Sequence, residues 1–363
     1  MKVDEWLGKE TEKVNNIRLE SVKDIIHQKN AALVLGSGIS IPAGLPSWNA
    51  LMAKCIGMMM QMELWGPEES YRKDFKTFKD SGILFDTLYN YLSQGKGDLG
   101  ISTNLLELGQ YLKQVGPNKG LPNDDFVSEM LVCELVKHST IPTKTPDKIL
   151  TSTVGKCADL MSSSLIDIAV TYNFDTLLEY CIRKKDESKK IKIEIYADNS
   201  KLPYISVPEN TVQIFHVHGC APTPGFETEC PTSNLVFTED SYWNEEQDVY
   251  SWSNSIQSLL LQNKTCLFIG FSTQDPNFRR LLQRWKPHVK KESKHYLFLP
   301  LQDIDKEICN MFDTTSPTES KLKKVLLNYM LLLKEVYWRD YGIYPIWTSY
   351  EELPTMLENL KST

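Results

Sequence analysis

The chain has no CxxC pair, no surplus of basic residues and no apolar stretch of membrane-spanning length. Its eight cysteines (Cys55, Cys133, Cys157, Cys181, Cys220, Cys230, Cys266, Cys309) are scattered, several within apolar runs. That argues against a disulfide framework or a four-cysteine zinc module, and reduced, buried thiols in a reducing compartment are expected. With 40 Lys and Arg against 47 Asp and Glu, the net charge of −7 lacks the basic excess of a protein built to grip a phosphate backbone. No direct nucleic-acid binding is expected. No window approaches the roughly 18 uninterrupted apolar residues of a membrane span. The amino terminus, MKVDEWLGKETEKVNN, is charged from the start, so a cytoplasmic protein is expected, neither secreted nor membrane-embedded. Internal repeats and low-complexity tracts are missing as well, and 41% apolar content in 363 residues suffices for one large domain or two ordinary ones.

Seven apolar runs of strand length are present: Ala31 to Gly36, Ile166 to Asn173, Lys192 to Tyr196, Val212 to His218, Thr265 to Phe271, His295 to Leu299 and Tyr344 to Trp347. Helical patterns fall between them, at Asp175 to Arg183, Ser241 to Gln262, Pro276 to Trp285, Ser320 to Arg339 and Glu351 to Lys361. Strands alternating with helices predict an α/β fold with a doubly wound parallel sheet. From Trp48 to Ser164 the pattern is mostly helical without a convincing strand. The expected organisation is therefore a Rossmann-like domain from residues 1–47 and 165–363 with a large inserted helical subdomain, 48–164, placed to cover a cleft at the strand ends. The cluster Met58, Met59, Met60 and Met62 fits the core of a helix there. Arg183 to Lys192 mixes both signs and reads as a solvated loop, whereas the basic residues between Arg279 and His295 form a candidate partner surface.

Polar and glycine clusters close four of the strands. Gly36-Ser37-Gly38-Ile39-Ser40 follows the first, and its glycines let backbone N–H groups approach a pyrophosphate, although a GxG after a strand is equally a tight turn. At the second strand's end, Asn173 presents a carboxamide able to hold a ribose hydroxyl or a water. Asp175 beside it either reaches a ligand or caps the next helix. His216 and His218 end another strand, where period two puts both imidazoles on one face. A metal there lacks a third ligand, so His218, before Gly219, reads as a base, and His216 as the less important of the two. Finally Gly270-Phe271-Ser272-Thr273-Gln274-Asp275 runs into a helix start; Ser272 and Asp275 can contact an adenosine, or Asp275 can simply cap with Pro276 at the first helical position.

Taken in order, these clusters resemble the sirtuin family. GSGIS with AGLP is similar to the sirtuin GAGIS element and its following GIP; TYNFDTL resembles TQNIDxL; VHG matches the HG motif; and GFS falls at the glycine-serine ribose motif. The resemblance runs from about Ala31 to Asn277, with a looser tail through Tyr341-Gly342-Ile343. Two departures matter: Cys220 and Cys230 stand alone where deacylases carry a four-cysteine zinc ribbon, and Ser47-Trp48 replaces their Asp-Phe. With LVFTEDSYW and GFSTQDPNF, the chain looks like the prokaryotic sirtuin-like NAD⁺ hydrolases of antiphage defence.

That resemblance implies cleavage of NAD⁺, as a substrate, to nicotinamide and ADP-ribose, without zinc, in an NAD-depleting effector of abortive infection. It implies Asn173 on the ribose and attacking water, and His218 accepting a proton. Gly36, Ser37, Gly38, Ser40, Ser47, Trp48, Asp175, Gly270, Ser272 and Asp275 would contact the dinucleotide. An NAD-dependent deacylase and a non-catalytic NAD or ADP-ribose sensor are the competing readings. Only about a dozen residues follow Tyr350, so no appended sensor is expected. Control is expected to come from homo-oligomerisation, from the insertion, or from a separate activator such as a HerA-type ATPase.

Overall fold

A computed structural model describes residues 9–45, 146–186, 188, 190–198, 207–221, 235–236, 247–248, 250–271, 276–289, 294–309 and 317–362. All seven expected strands form: β1 (Ala31–Leu35), β2 (Ile168–Thr171), β3 (Lys192–Tyr196), β4 (Thr211–His216), β5 (Thr265–Ile269), β6 (His295–Pro300) and β7 (Ile343–Thr348). They make one sheet in the order β3-β4-β2-β1-β5-β6-β7, every neighbouring pair parallel. A parallel sheet buries both faces, which is why its central strands are apolar without alternation. In β1, Ala31, Leu33 and Leu35 belong to one core, and Ala32 and Val34 to the other.

The helices are α1 (Lys9–His27), α2 (Pro146–Thr151), α3 (Thr153–Ser162), α4 (Leu177–Lys185), α5 (Trp252–Asn263), α6 (Pro276–Trp285), α7 (Leu301–Cys309), α8 (Pro317–Arg339) and α9 (Leu353–Asn359). Val22 and Ile26 of α1, Cys157 and Leu160 of α3, Leu177 and Cys181 of α4 and Leu357 of α9 fill one core. Ile256 and Leu260 of α5, Leu281 and Leu282 of α6 and Trp338 of α8 fill the other, while α7 and the rest of α8 pack on Trp347 of β7. Helices α2 and α3 come from the stretch 48–164 yet share the core of the sheet. The remainder of that stretch, the Met58–Met62 cluster included, lies outside the described residues.

Two helices escaped the sequence reading. The charged surface of α1 hides a narrow apolar stripe, and its buried Asn15 clamps the backbone of edge strand β7 by donating to the Trp347 carbonyl (2.9 Å) and accepting from the Trp347 N–H (2.8 Å). An edge strand must satisfy or cover such groups. The second, α7, follows β6 directly at Leu301, with no loop to announce it. Strands β2, β4 and β5 end two residues earlier than their apolar runs, because the last residues of each run turn into the loops at the strand ends.

Candidate active site

The sheet order places the ends of β4, β2, β1 and β5 side by side, and these strands carry the four polar clusters. The chain leaves β1 for β2 on one side and reaches β5 on the other, so this is the switch point where doubly wound sheets receive ligands.

Beyond β1 the backbone makes short 3₁₀ turns at Ser37–Ile39 and Ile41–Ala43. The Gly36 N–H donates to the Ile269 carbonyl (3.2 Å) and the Gly38 N–H to the Gly270 carbonyl (2.9 Å). A Cβ on Gly36 would lie 2.6 Å from the Gly270 oxygen, and one on Gly270, whose φ is +60°, would lie 2.5 Å from the Ile39 nitrogen. Glycine is required here because the β1 and β5 loops lie back to back. The amides of Gly36 and Gly38 are thus engaged within the protein. Ser47, Trp48, Ser272 and Asp275 lie outside the described residues.

Beyond β2, Asn173 is buried and held from several sides. Its N–H donates to Thr171 Oγ1 (3.1 Å) and its Nδ2 to Ser40 Oγ (3.1 Å). Its Oδ1 is buried with no hydrogen-bond partner among the described residues. The Ser40 hydroxyl in turn donates to Asp175, making a chain Asn173–Ser40–Asp175. Asp175 also accepts from the Leu177 N–H at 3.1 Å, so it caps α4 and joins the site at once. Its residue keeps some exposed surface, but the carboxyl is enclosed, and burial raises its pKa to about 6 against the hydrogen bonds that lower it.

Beyond β4 the structure corrects the expected geometry of the two histidines. The strand stops at His216, and the Gly219 N–H returns to the His216 carbonyl (3.1 Å) in a turn that Gly219 permits with φ +83°. Alternation therefore ends before His218, and the imidazoles have different surroundings. His216 is fully buried, with Nε2 2.7 Å from Glu179 Oε1 and Nδ1 3.0 Å from the Asn173 carbonyl oxygen. Burial pulls its pKa down, but the Glu179 carboxylate, the Asn173 carbonyl and Asp175 together outweigh that, and the net shift is upward. His218 lies edge-on to Tyr172, ring centroids 4.8 Å apart, and its carbonyl accepts from the Val236 N–H (2.9 Å). Tyr172 packs against Phe271 (4.8 Å) and hydrogen-bonds Gln257 of α5.

Sequence reasoning missed Glu179. A charged residue within the apolar LLEYCI of α4 was the signal for it, since an acid on a buried helix face demands a partner. The thiols of Cys157, Cys181 and Cys266 are free and buried, and burial pushes the pKa values of Cys181 and Cys266 up to about 12. Cys220 departs from the expected reduced state: it is disulfide-bonded, because pairing follows proximity in the fold rather than spacing in the chain. In the basic candidate surface, Lys286 pairs with Asp340 and Arg280 reaches Asn254 Oδ1 (3.5 Å), so part of that charge is engaged within the protein.

Residues 167–346 match the profile of the SIR2-like domain. The chain is also 23% identical, over 359 residues, to the NAD(+) hydrolase ThsA of Enterococcus faecium, an alignment taking in 95% of this chain. The chain spans 58% of the length of that relative. The SIR2-like stretch includes the ends of β2, β4 and β5; β1, which precedes it in the chain, is set between β2 and β5 by the sheet.

Proposed function

We propose that the protein is an NAD⁺ hydrolase that releases nicotinamide and ADP-ribose. The observation that carries this reading is Asn173: a buried carboxamide at the switch point, with its nitrogen committed to Ser40 and its Oδ1 left to accept a hydrogen bond. Breaking the nicotinamide glycosidic bond expels a neutral leaving group, so the site needs no strong acid. It must accommodate positive charge on the ribose and aim a water. Asn173 Oδ1 accepts from a ribose hydroxyl or from that water, and His218, at the adjacent strand end, takes the proton. The loops carrying Gly36, Ser37, Gly38, Ser40, Ser47, Trp48, Asp175, Gly270, Ser272 and Asp275 hold the rest of the dinucleotide. Likeness to an NAD(+) hydrolase over nearly the whole chain supports the same chemistry. Release of nicotinamide from NAD⁺ by the purified protein is the test; a chain that binds NAD⁺ and leaves it intact overturns the reading, and turnover only with an acetylated peptide replaces it with deacylation.

The wider role follows as part of the proposal: a cytoplasmic effector of antiphage defence that depletes NAD⁺, its cleft covered by residues of the 48–164 stretch and its activity held low until a partner such as a HerA-type ATPase engages it. Self-assembly has support in α8. Leu322, Val325, Tyr329, Leu332 and Val336 recur at alternating spacings of three and four, and all are exposed. That spacing is a coiled-coil seam, which a second copy of the helix fits. Leu333 and Tyr337 beside the stripe are exposed as well and widen it. Light scattering should find an oligomer that Leu332→Glu dissociates; a wild-type monomer overturns the assembly.

A further inference from the structure

We infer that the buried His216–Glu179 pair is a positioning device for Asn173, locking the peptide plane from which its catalytic carboxamide projects. The inference rests on the hydrolase reading for its kinetic meaning, and on geometry for the rest.

A backbone carbonyl can only accept, so the contact from His216 Nδ1 to the Asn173 oxygen at 3.0 Å fixes a proton on Nδ1. The other nitrogen then shares a single proton with Glu179 across 2.7 Å, and the pair is neutral as a unit whichever side holds it. Both side chains have no exposed surface. A buried ion pair of this kind contributes little net stability compared with apolar residues of the same volume, so packing alone does not call for it here. Its placement does suggest a role. His216 is the last residue of β4, Glu179 sits in α4 one turn beyond Asp175, and Asn173 leaves β2.

The result is a residue with almost no freedom. The Asn173 carbonyl is held by His216, its N–H by Thr171 and its Nδ2 by Ser40, so Oδ1 is left in one orientation. Preorganisation of that kind acts on the reacting geometry more than on binding, and a displacement of about 1 Å can cost on the order of 10² in rate.

The test compares two variants with the wild type. In Glu179→Gln the amide donates to His216 Nε2, the imidazole keeps its Nδ1 proton, and most of kcat should remain. In the double variant His216→Leu, Glu179→Leu the pair is removed without stranding a buried charge, so the fold is kept, as the melting temperature will show. Its kcat should fall roughly 10- to 100-fold with KM for NAD⁺ changed by less than about threefold. The Asn173 side-chain NH₂ resonances should move or broaden in the double variant and not in Glu179→Gln. Unchanged Asn173 resonances in the double variant, or wild-type kcat, overturn the positioning role. If the wild type does not hydrolyse NAD⁺, the hydrolase reading fails by itself, and the resonances still decide whether the pair orders Asn173.

Discussion

The tip of β4 and the turn that follows it carry two buried histidines with different neighbours. His216, the last residue in the strand, is enclosed between a carboxylate and a backbone carbonyl, both of its nitrogens engaged with the protein. His218 sits in the turn after the strand, against the Tyr172 ring. An imidazole whose nitrogens are both spent inside the fold serves as a strut. One placed past the end of a strand can serve a substrate. The same division separates the parts of Asn173, whose backbone and Nδ2 belong to the framework and whose Oδ1 does not.

The contrast is broken most directly by alanine. His218→Ala and Asn173→Ala should each lose about 10²–10⁴ in NAD⁺ turnover while unfolding cooperatively near the wild-type temperature. More than about a tenth of wild-type turnover in either would detach it from the chemistry. His216→Ala should behave differently: it leaves Glu179 as an uncompensated buried carboxylate, so it should cost about 3–5 kcal/mol in denaturant unfolding. A stable His216→Ala would show that Glu179 is not ionised against it.

A smaller effect probes the framework between the β1 and β5 loops. Gly270→Ala places a Cβ 2.5 Å from the Ile39 nitrogen at a φ of +60°, and should lower stability by about 2 kcal/mol or more in equilibrium unfolding. An unchanged midpoint would mean that the two loops can separate. The smallest effect is a pH dependence at Asp175, whose folded pKa of about 6 stands above its ordinary 3.8. Between those values the folded chain holds a proton that the unfolded chain has released, so wild-type stability falls as pH rises through the window. Asp175→Asn keeps a cap oxygen for Leu177 and has no such proton, so its stability relative to the wild type should improve from about pH 4 to about pH 7. A difference that does not vary with pH would place the carboxyl in solvent.

Much of the fold and of the site's raw material was legible along the chain. The seven apolar runs gave seven strands, since a strand buried on both faces needs continuous apolar residues. The clusters around Gly36, Asn173, His218 and Gly270 could be found because loops at strand ends draw on glycine and polar side chains. Helix α1 could not, because its buried stripe is narrow and its buried Asn15 answers to the backbone of Trp347, 332 residues away. The neighbours of each residue were decided by tertiary structure alone. Only the order β4-β2-β1-β5 brings the β1 and β5 loops into contact, gives the His216 imidazole to Glu179 and the Asn173 carbonyl, and sets His218 on Tyr172. Periodicity and turn chemistry act between residues a few positions apart and can be read from the chain, whereas these partners lie between 37 and 46 positions apart for His216 and Glu179 or His218 and Tyr172, and meet only when the sheet assembles.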